Sequence, residues 1–298
     1  MSRFNILTAK FTQVFGSGAH EGKSRFNTGA KPLIPSARGF KAALISGAGL
    51  AESRLGVPDV GILGLADNLE GTRMIASRTN LLLIADADTG YGNAMTVYHV
   101  VKEFEKTGVA GIMIEDQVWP KRCGHLSGKE VIPTEEMVAK IRAAVDAREN
   151  LDFIIKARTD AAIKGIEEAI NRANAYLKAG ADLVLADALL SVQDIEKFTK
   201  NVGGPVAVNM GFGIRRRPTT PLLTPKVLKE IGVKVIDYGR ITSAAAIMGM
   251  KKALTALLET VDKETVTERP DLVVDFNELQ ELMDYKKYLE LDRKYRVE

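Results

Sequence analysis

The sequence has one cysteine, one tryptophan and three histidines among 298 residues. A lone cysteine excludes an intramolecular disulfide and points to a reducing compartment. No run of about 18 apolar residues stands out that could cross a bilayer. Neither charge sign dominates, since 41 lysines and arginines face 38 aspartates and glutamates for a net +3. The dense basic surface of a nucleic-acid binder is therefore missing, and neither a secretory signal nor a low-complexity linker is visible. These absences predict a globular cytoplasmic protein with neither membrane nor nucleic acid among its partners.

The first twenty residues lack any acid and carry Phe4, Leu7, Phe11 and Val14 at helical spacing. The favoured reading is an N-terminal helix packed on the domain. A mitochondrial presequence is the alternative, although Arg3 and Lys10 are few bases for one.

Short apolar runs rich in β-branched residues alternate with longer amphipathic segments, the rhythm of βα units around a parallel sheet. Strands are predicted at 31–37, 42–49, 81–88, 110–116, 152–160, 182–188, 205–210 and 233–239. Helices are predicted at 94–107, 134–148 (opened by a TEEM capping box), 166–179 and 192–200, with two more at 242–259 and from about 275 to the end. Eight strands predict an α/β fold, a (β/α)8 TIM-type barrel with additional C-terminal helices. Its first βα unit is shortened, because only residues 38–41 separate the first two strands and a parallel crossover needs about ten or more. Residues 1–30 are read as an N-terminal extension or helix, 31–260 as the barrel and 261–298 as a C-terminal helical segment.

Functional groups of such barrels sit at the C-terminal ends of strands. There Asp86 and Asp88, two residues apart, point the same way. Two like charges so placed either hold a cation, for which a hard divalent ion bound largely through water fits, or split their roles, one capping the following loop and the other solvated. Glu115 and Asp59 add carboxylates to the same rim. Arg158 can clamp a substrate carboxylate or phosphate, or pair with neighbouring acids. Asn209 can hydrogen-bond an oxyanion or serve as a turn residue. The run Arg215, Arg216, Arg217 fits a solvated surface better than a site. Cys123 lies in the loop leaving the strand that ends in Glu115, and its neighbours Lys121, Arg122 and His125 would favour the thiolate, making it a proton donor and acceptor near neutral pH.

SGAG (46–49), GVPDVG (56–61), DADTGYGN (86–93), IEDQVWPKRCGH (114–125) and ARTD (157–160) occur in this order. Together they resemble the isocitrate lyase and phosphoenolpyruvate mutase superfamily. The KRCGH form is similar to its lyase branch, which includes 2-methylisocitrate and 2,3-dimethylmalate lyases, and to carboxyphosphonoenolpyruvate mutase. The resemblance implies a Mg2+ enzyme, with Mn2+ as an alternative ion, that cleaves a carbon–carbon bond in a small 2-hydroxy di- or tricarboxylate. It implies Asp59, Asp86, Asp88 and Glu115 as holders of the metal and its waters, and the backbone of Ser46, Gly47 and Ala48 with Arg158 as the carboxylate site. Cys123 would protonate the carbanion, tuned by Lys121, Arg122 and His125. A homotetramer or dimer with exchanged C-terminal helices is also implied. Three positions depart from the family pattern: Asp187 replaces a glutamate, Gly211 an acid, and the sequence at 238–240 a proline-containing stretch. Alternatives are oxaloacetate hydrolysis or decarboxylation, carboxyphosphonoenolpyruvate-mutase-like chemistry, or an impaired member surviving as an oligomeric partner.

Overall fold

The computed structural model describes residues 39–212, 215–216, 218–264 and 268–297. The chain divides into two compact units. The larger, Ala42–Ser77 with Leu82–Ser243, carries the sheet. Its seven strands are β1 (Ala42–Ile45), β2 (Leu82–Asp86), β3 (Gly111–Glu115), β4 (Ile154–Thr159), β5 (Leu183–Ala186), β6 (Val206–Asn209) and β7 (Val235–Asp237). They lie side by side in chain order and every pairing is parallel. Helices α1 (Leu65–Ala76), α2 (Ala94–Lys106), α3 (Thr134–Ala147), α4 (Ile166–Lys178), α5 (Val192–Asn201) and α6 (Pro225–Ile231) fill the crossovers. This is a TIM-type barrel with seven described strands.

Burial explains why these runs form strands. β3, β4 and β5 are buried at every position, inside against the barrel core and outside against helices, which is why they read as near-continuous apolar runs. The outer strands of the described sheet, β1 and β7, are mostly half-buried. On α2 the apolar residues Val97, Val100, Val101 and Phe104 recur at helical spacing and all are fully buried.

Several expectations change. The strand predicted at 31–37 and the segment 1–30 lie outside the described residues. From β1 onward no crossover is too short, because residues 46–81 accommodate α1, a helix the sequence pattern does not reveal. Its buried face is formed by Asn68, Gly71 and Thr72, so it lacks an apolar stripe. A Cβ on Gly71 would stand 2.8 Å from Leu50 Cδ2, so a larger residue there would make the Leu50 side chain shift. The capping box predicted at Thr134 does not form: Pro133 occupies the cap position and Thr134 is the first helical residue.

The described part of the second unit is helical. The helix α7 (Ile241–Lys263) enters it, and α8 (Phe276–Leu282) and α9 (Tyr285–Tyr295) replace the single C-terminal helix predicted, broken at Asp284 with φ 58°. An 18-residue window of α7 has a mean hydropathy of 1.3, long and apolar enough to span a bilayer, contrary to the expectation from sequence. Lys251 and Lys252 near its middle oppose insertion by about 2.5–3.5 kcal/mol each.

Candidate active site

Parallel register brings the polar strand ends together. Glu115 on β3 is aligned with Arg158 on β4, and Asn209 on β6 with Asp237 on β7. Strand alternation turns Glu115 toward the barrel interior and Asp116 toward the helices. There Asp116 accepts hydrogen bonds from Thr159 Oγ1 (2.7 Å), the Asp160 amide (2.8 Å), Tyr176 OH (2.7 Å) and Arg172 Nη1 (3.2 Å). This outer network fixes the end of β4 and with it Arg158.

A pocket opens at these strand ends. Of the predicted site residues it is lined by Ser46, Ala48, Asp59, Asp86, Cys123, His125, Arg158 and Asn209. Asp88, Glu115 and Lys121 are buried and join it through ion pairs. Gly47 donates its amide to Asp86 Oδ2 at 3.2 Å, and Asp86 Oδ1 accepts from the Asp88 amide at 3.1 Å. Lys121, only 4 % exposed, bonds Asp59 and lies 2.9 Å from Asp88 Oδ1. Burial, with Asp86 adjacent, pushes the Asp88 carboxyl up to about 7 against the pull of Lys121. Burial likewise raises Glu115 well above the carboxylate range despite Arg158 and Lys121. Burial would lower Lys121, but Glu115, Asp88, Asp86 and Asp59 outweigh it and hold the ammonium charged.

Arg158 is held by three carboxylates. Its Nε lies 3.2 Å from Glu115 and 2.8 Å from Asp160, and its Nη2 lies 2.8 Å from Asp187. Burial would raise Asp160, but Arg158 and Lys129 prevail and keep it at about 2. Beneath the pocket, fully buried Lys156 pairs with Asp237.

Cys123 is half-buried. Its amide donates to Asp59 O at 3.1 Å, and its carbonyl accepts from Leu126 N at 2.8 Å. The three cations near it in sequence have other partners: Lys121 has the rim acids, Arg122 Nη1 donates to Ser127 O at 3.2 Å, and His125 Nδ1 meets Thr219 Oγ1. Arg215 and Arg216 are exposed, and Arg217 lies outside the described residues.

Sequence reasoning missed Asp237, Asp160, Lys129 and Lys156, and named Asp187 and the stretch 238–240 with Arg240 only as departures. Arg240 lines the pocket and pairs with Glu52 and, at 3.4 Å, Asp59. Its left-handed backbone, φ 64°, joins those of Asp88 (48°), Tyr91 (59°) and Ala188 (59°) near the rim. Non-glycine residues in this region cost about 1–3 kcal/mol each and concentrate at functional sites.

The donor set accommodates a hard cation. Asp88 Oδ1 and both oxygens of Glu115 are buried without a hydrogen-bond partner. Eight carboxylates (Glu52, Asp59, Asp86, Asp88, Glu115, Asp160, Asp187, Asp237) face five cations (Lys121, Lys129, Lys156, Arg158, Arg240). Among the described residues no three acids converge tightly enough to coordinate one ion directly. An ion bound through one or two carboxylates and several waters, the habit of Mg2+, is what this geometry fits.

A TIM-type barrel with an acid-rich C-terminal rim, a buried arginine and a cysteine loop defines the class of barrel enzymes whose site lies at the strand ends. Residues 26–258 match the family model described as phosphoenolpyruvate phosphomutase. The chain is 40% identical over 258 residues to the 2,3-dimethylmalate lyase of Eubacterium barkeri, covering 86% of this chain and 87% of that one. It is 42% identical over 228 residues to the 2-methylisocitrate lyase of Shewanella oneidensis, covering 76% of each. A solved structure of oxaloacetate acetylhydrolase with 3,3-difluorooxalacetate superposes with a TM-score of 0.79 at 33% identity, covering 87% of this chain and 86% of that one. The chain belongs to the phosphoenolpyruvate mutase/isocitrate lyase superfamily, as an enzyme of its carbon–carbon lyase branch.

Proposed function

We propose that the protein is a Mg2+-dependent lyase that cleaves a small 2-hydroxy di- or tricarboxylate, of the 2-methylisocitrate or 2,3-dimethylmalate type, into a 2-oxo acid and a carboxylate. The observation that carries this reading is the convergence of Arg158, Cys123 and the buried Glu115 and Asp88 oxygens, which accept no hydrogen bond and have only ion-pair neighbours, on one pocket region. Mn2+ would serve the same oxygen ligands.

Asp86, Asp88 and Glu115, with Asp59 behind Lys121, would hold the ion and its waters. When bound, the ion polarises the 2-oxo or 2-hydroxy oxygen. Arg158 and the Ser46–Ala48 backbone hold carboxylate oxygens, and Asn209 reaches the far end of the substrate. A rim carboxylate takes the hydroxyl proton as the carbon–carbon bond breaks, and Cys123 returns a proton to the carbanion. Arg122, through Ser127, and His125, through Thr219, orient the loop, and Lys121 sets a positive charge against Asp59 and Asp88.

A second reading, hydrolysis of oxaloacetate, draws on the likeness to oxaloacetate acetylhydrolase. Incubation with 2-methylisocitrate, 2,3-dimethylmalate and oxaloacetate, with and without Mg2+, is followed by NMR. A 2-oxo acid product that disappears with EDTA is expected. Oxalate and acetate from oxaloacetate alone would favour the second reading, and turnover indifferent to EDTA would sink the metal.

We also propose that the enzyme works as a homotetramer or dimer through its C-terminal helices. On α7 the exposed residues Leu254, Leu257, Leu258 and Val261 form one apolar stripe, a surface that a lone chain would leave in water. Sedimentation of the full chain is expected to show dimers or tetramers, and monomers at micromolar concentration would refute this. The cytoplasm is the proposed compartment, with the mitochondrion as the alternative if residues 1–20 are a presequence.

A further inference from the structure

The turn after Cys123 is gripped from two sides. The Gly124 carbonyl accepts from Lys129 Nζ at 2.7 Å, and the same ammonium donates to Asp160 Oδ1 at 2.8 Å. The other carboxylate oxygen of Asp160 takes Arg158 Nε at 2.8 Å. On its opposite side Gly124 lies against the Arg158–Asp187 pair. A Cβ there would collide with Asp187 Oδ2 and stand 2.7 Å from Arg158 Nη2. Lys129 is buried, its side chain 4 % exposed. An ammonium taken out of water is retained only where its donors are used, and two of the three donors of Lys129 have partners here: one on the cysteine loop, one on the acid that seats the arginine.

We infer that Lys129 is a positioning residue that sets the place of Cys123 over the pocket and couples it to the seating of Arg158, with Asp160 as the shared acceptor. The inference rests on the proposed roles of Cys123 as proton donor and Arg158 as carboxylate anchor. It differs from a simpler role, in which Lys129 only neutralises Asp160. A neutralising charge needs the carboxylate alone, whereas positioning needs the Gly124 bond as well. A proton donor displaced by about 1 Å can lose about a hundredfold in rate, while substrate binding through Arg158 changes far less.

The test compares the full-length Mg2+-loaded wild type with Lys129→Met and with the double variant Lys129→Met/Asp160→Asn. The double variant removes both members of the ion pair, so it leaves no unpaired buried charge and protects folding if the single variant fails. Two quantities are read: kcat and KM, and the rate at which iodoacetamide alkylates Cys123, the only thiol in the chain. Lys129→Met is expected to lose about a hundredfold in kcat with KM within about threefold, the double variant to raise KM as well because Arg158 loses Asp160, and both to alkylate at least fivefold faster than wild type as the loop is released. Alkylation within twofold of wild type in whichever variant folds, with only the urea midpoint lowered, would overturn the inference and leave Lys129 as a neutralising charge. Alkylation needs no turnover. If the wild type cleaves no carboxylate, the lyase reading fails while the loop measurement still decides the role of Lys129.

Discussion

Cys123→Ser is expected to lower kcat by about 10²–10⁴-fold with KM nearly unchanged, the range general acid catalysis contributes. A thiol is a far better proton donor than the serine hydroxyl that would replace it. The substitution is nearly isosteric, and the backbone bonds of residue 123 to Asp59 and Leu126 do not involve the side chain. The loss should therefore fall on the protonation step. Steady-state kinetics with the substrate found by NMR, with unchanged urea unfolding as control, reads the effect. A serine variant with full turnover would remove Cys123 from the chemistry, and a variant with raised KM but intact kcat would make it a binding group.

The alternation of apolar strand bodies with polar C-terminal ends makes much of the site legible in the amino-acid sequence. Asp86, Glu115, Arg158 and Asn209 each close a strand run or lie near its end, and the parallel register collects them. Residues whose role depends on a distant partner are not legible in this way. Lys156 meets Asp237 across 81 positions and Arg240 meets Glu52 across 188. Lys121 shows the opposite error. Proximity in sequence suggests that it serves Cys123, yet the chain turns it into the buried acids Asp59 and Asp88, where the electrostatic gain is larger. Helix α1 escapes a pattern search because its inward face is Asn68, Gly71 and Thr72. Asn68 Nδ2 donates to Asp86 O at 2.7 Å and stands 2.7 Å from Tyr91 OH, so this polar face serves the rim.

The same rim accumulates cost. Carboxylates outnumber cations there eight to five, five of the carboxylates are buried, and four non-glycine residues near it hold left-handed backbone. Burial alone would neutralise Asp88 and Glu115 by protonation. A cation beside oxygens that accept no hydrogen bond would instead keep them ionised, and the strain marks the rim as a functional site rather than one built for stability.

Arg158→Ala should have the second large effect, and it separates binding from folding. Removing the guanidinium deletes the proposed anchor for a substrate carboxylate and leaves Glu115, Asp160 and Asp187 with less compensation. Breaking one partner of a buried charge cluster costs about 3–5 kcal/mol, and loss of a charge-assisted clamp should cut kcat/KM by about 10²–10³-fold. The pH dependence gives the loss a signature. In the wild type Asp160 stays at about 2 against an ordinary 3.8. Its stabilisation, about 2 kcal/mol at 1.36 kcal/mol per pKa unit, is present above pH 4 and lost as pH falls from about 4 toward 2. Without Arg158, burial opposed only by Lys129 moves the Asp160 pKa upward, and protonation then relieves the cost. The stability gap between the two proteins should therefore be widest near pH 7 and narrow steadily toward pH 2. Urea unfolding across that range measures it. A gap that does not change with pH would mean that the Arg158 guanidinium is not what keeps Asp160 ionised.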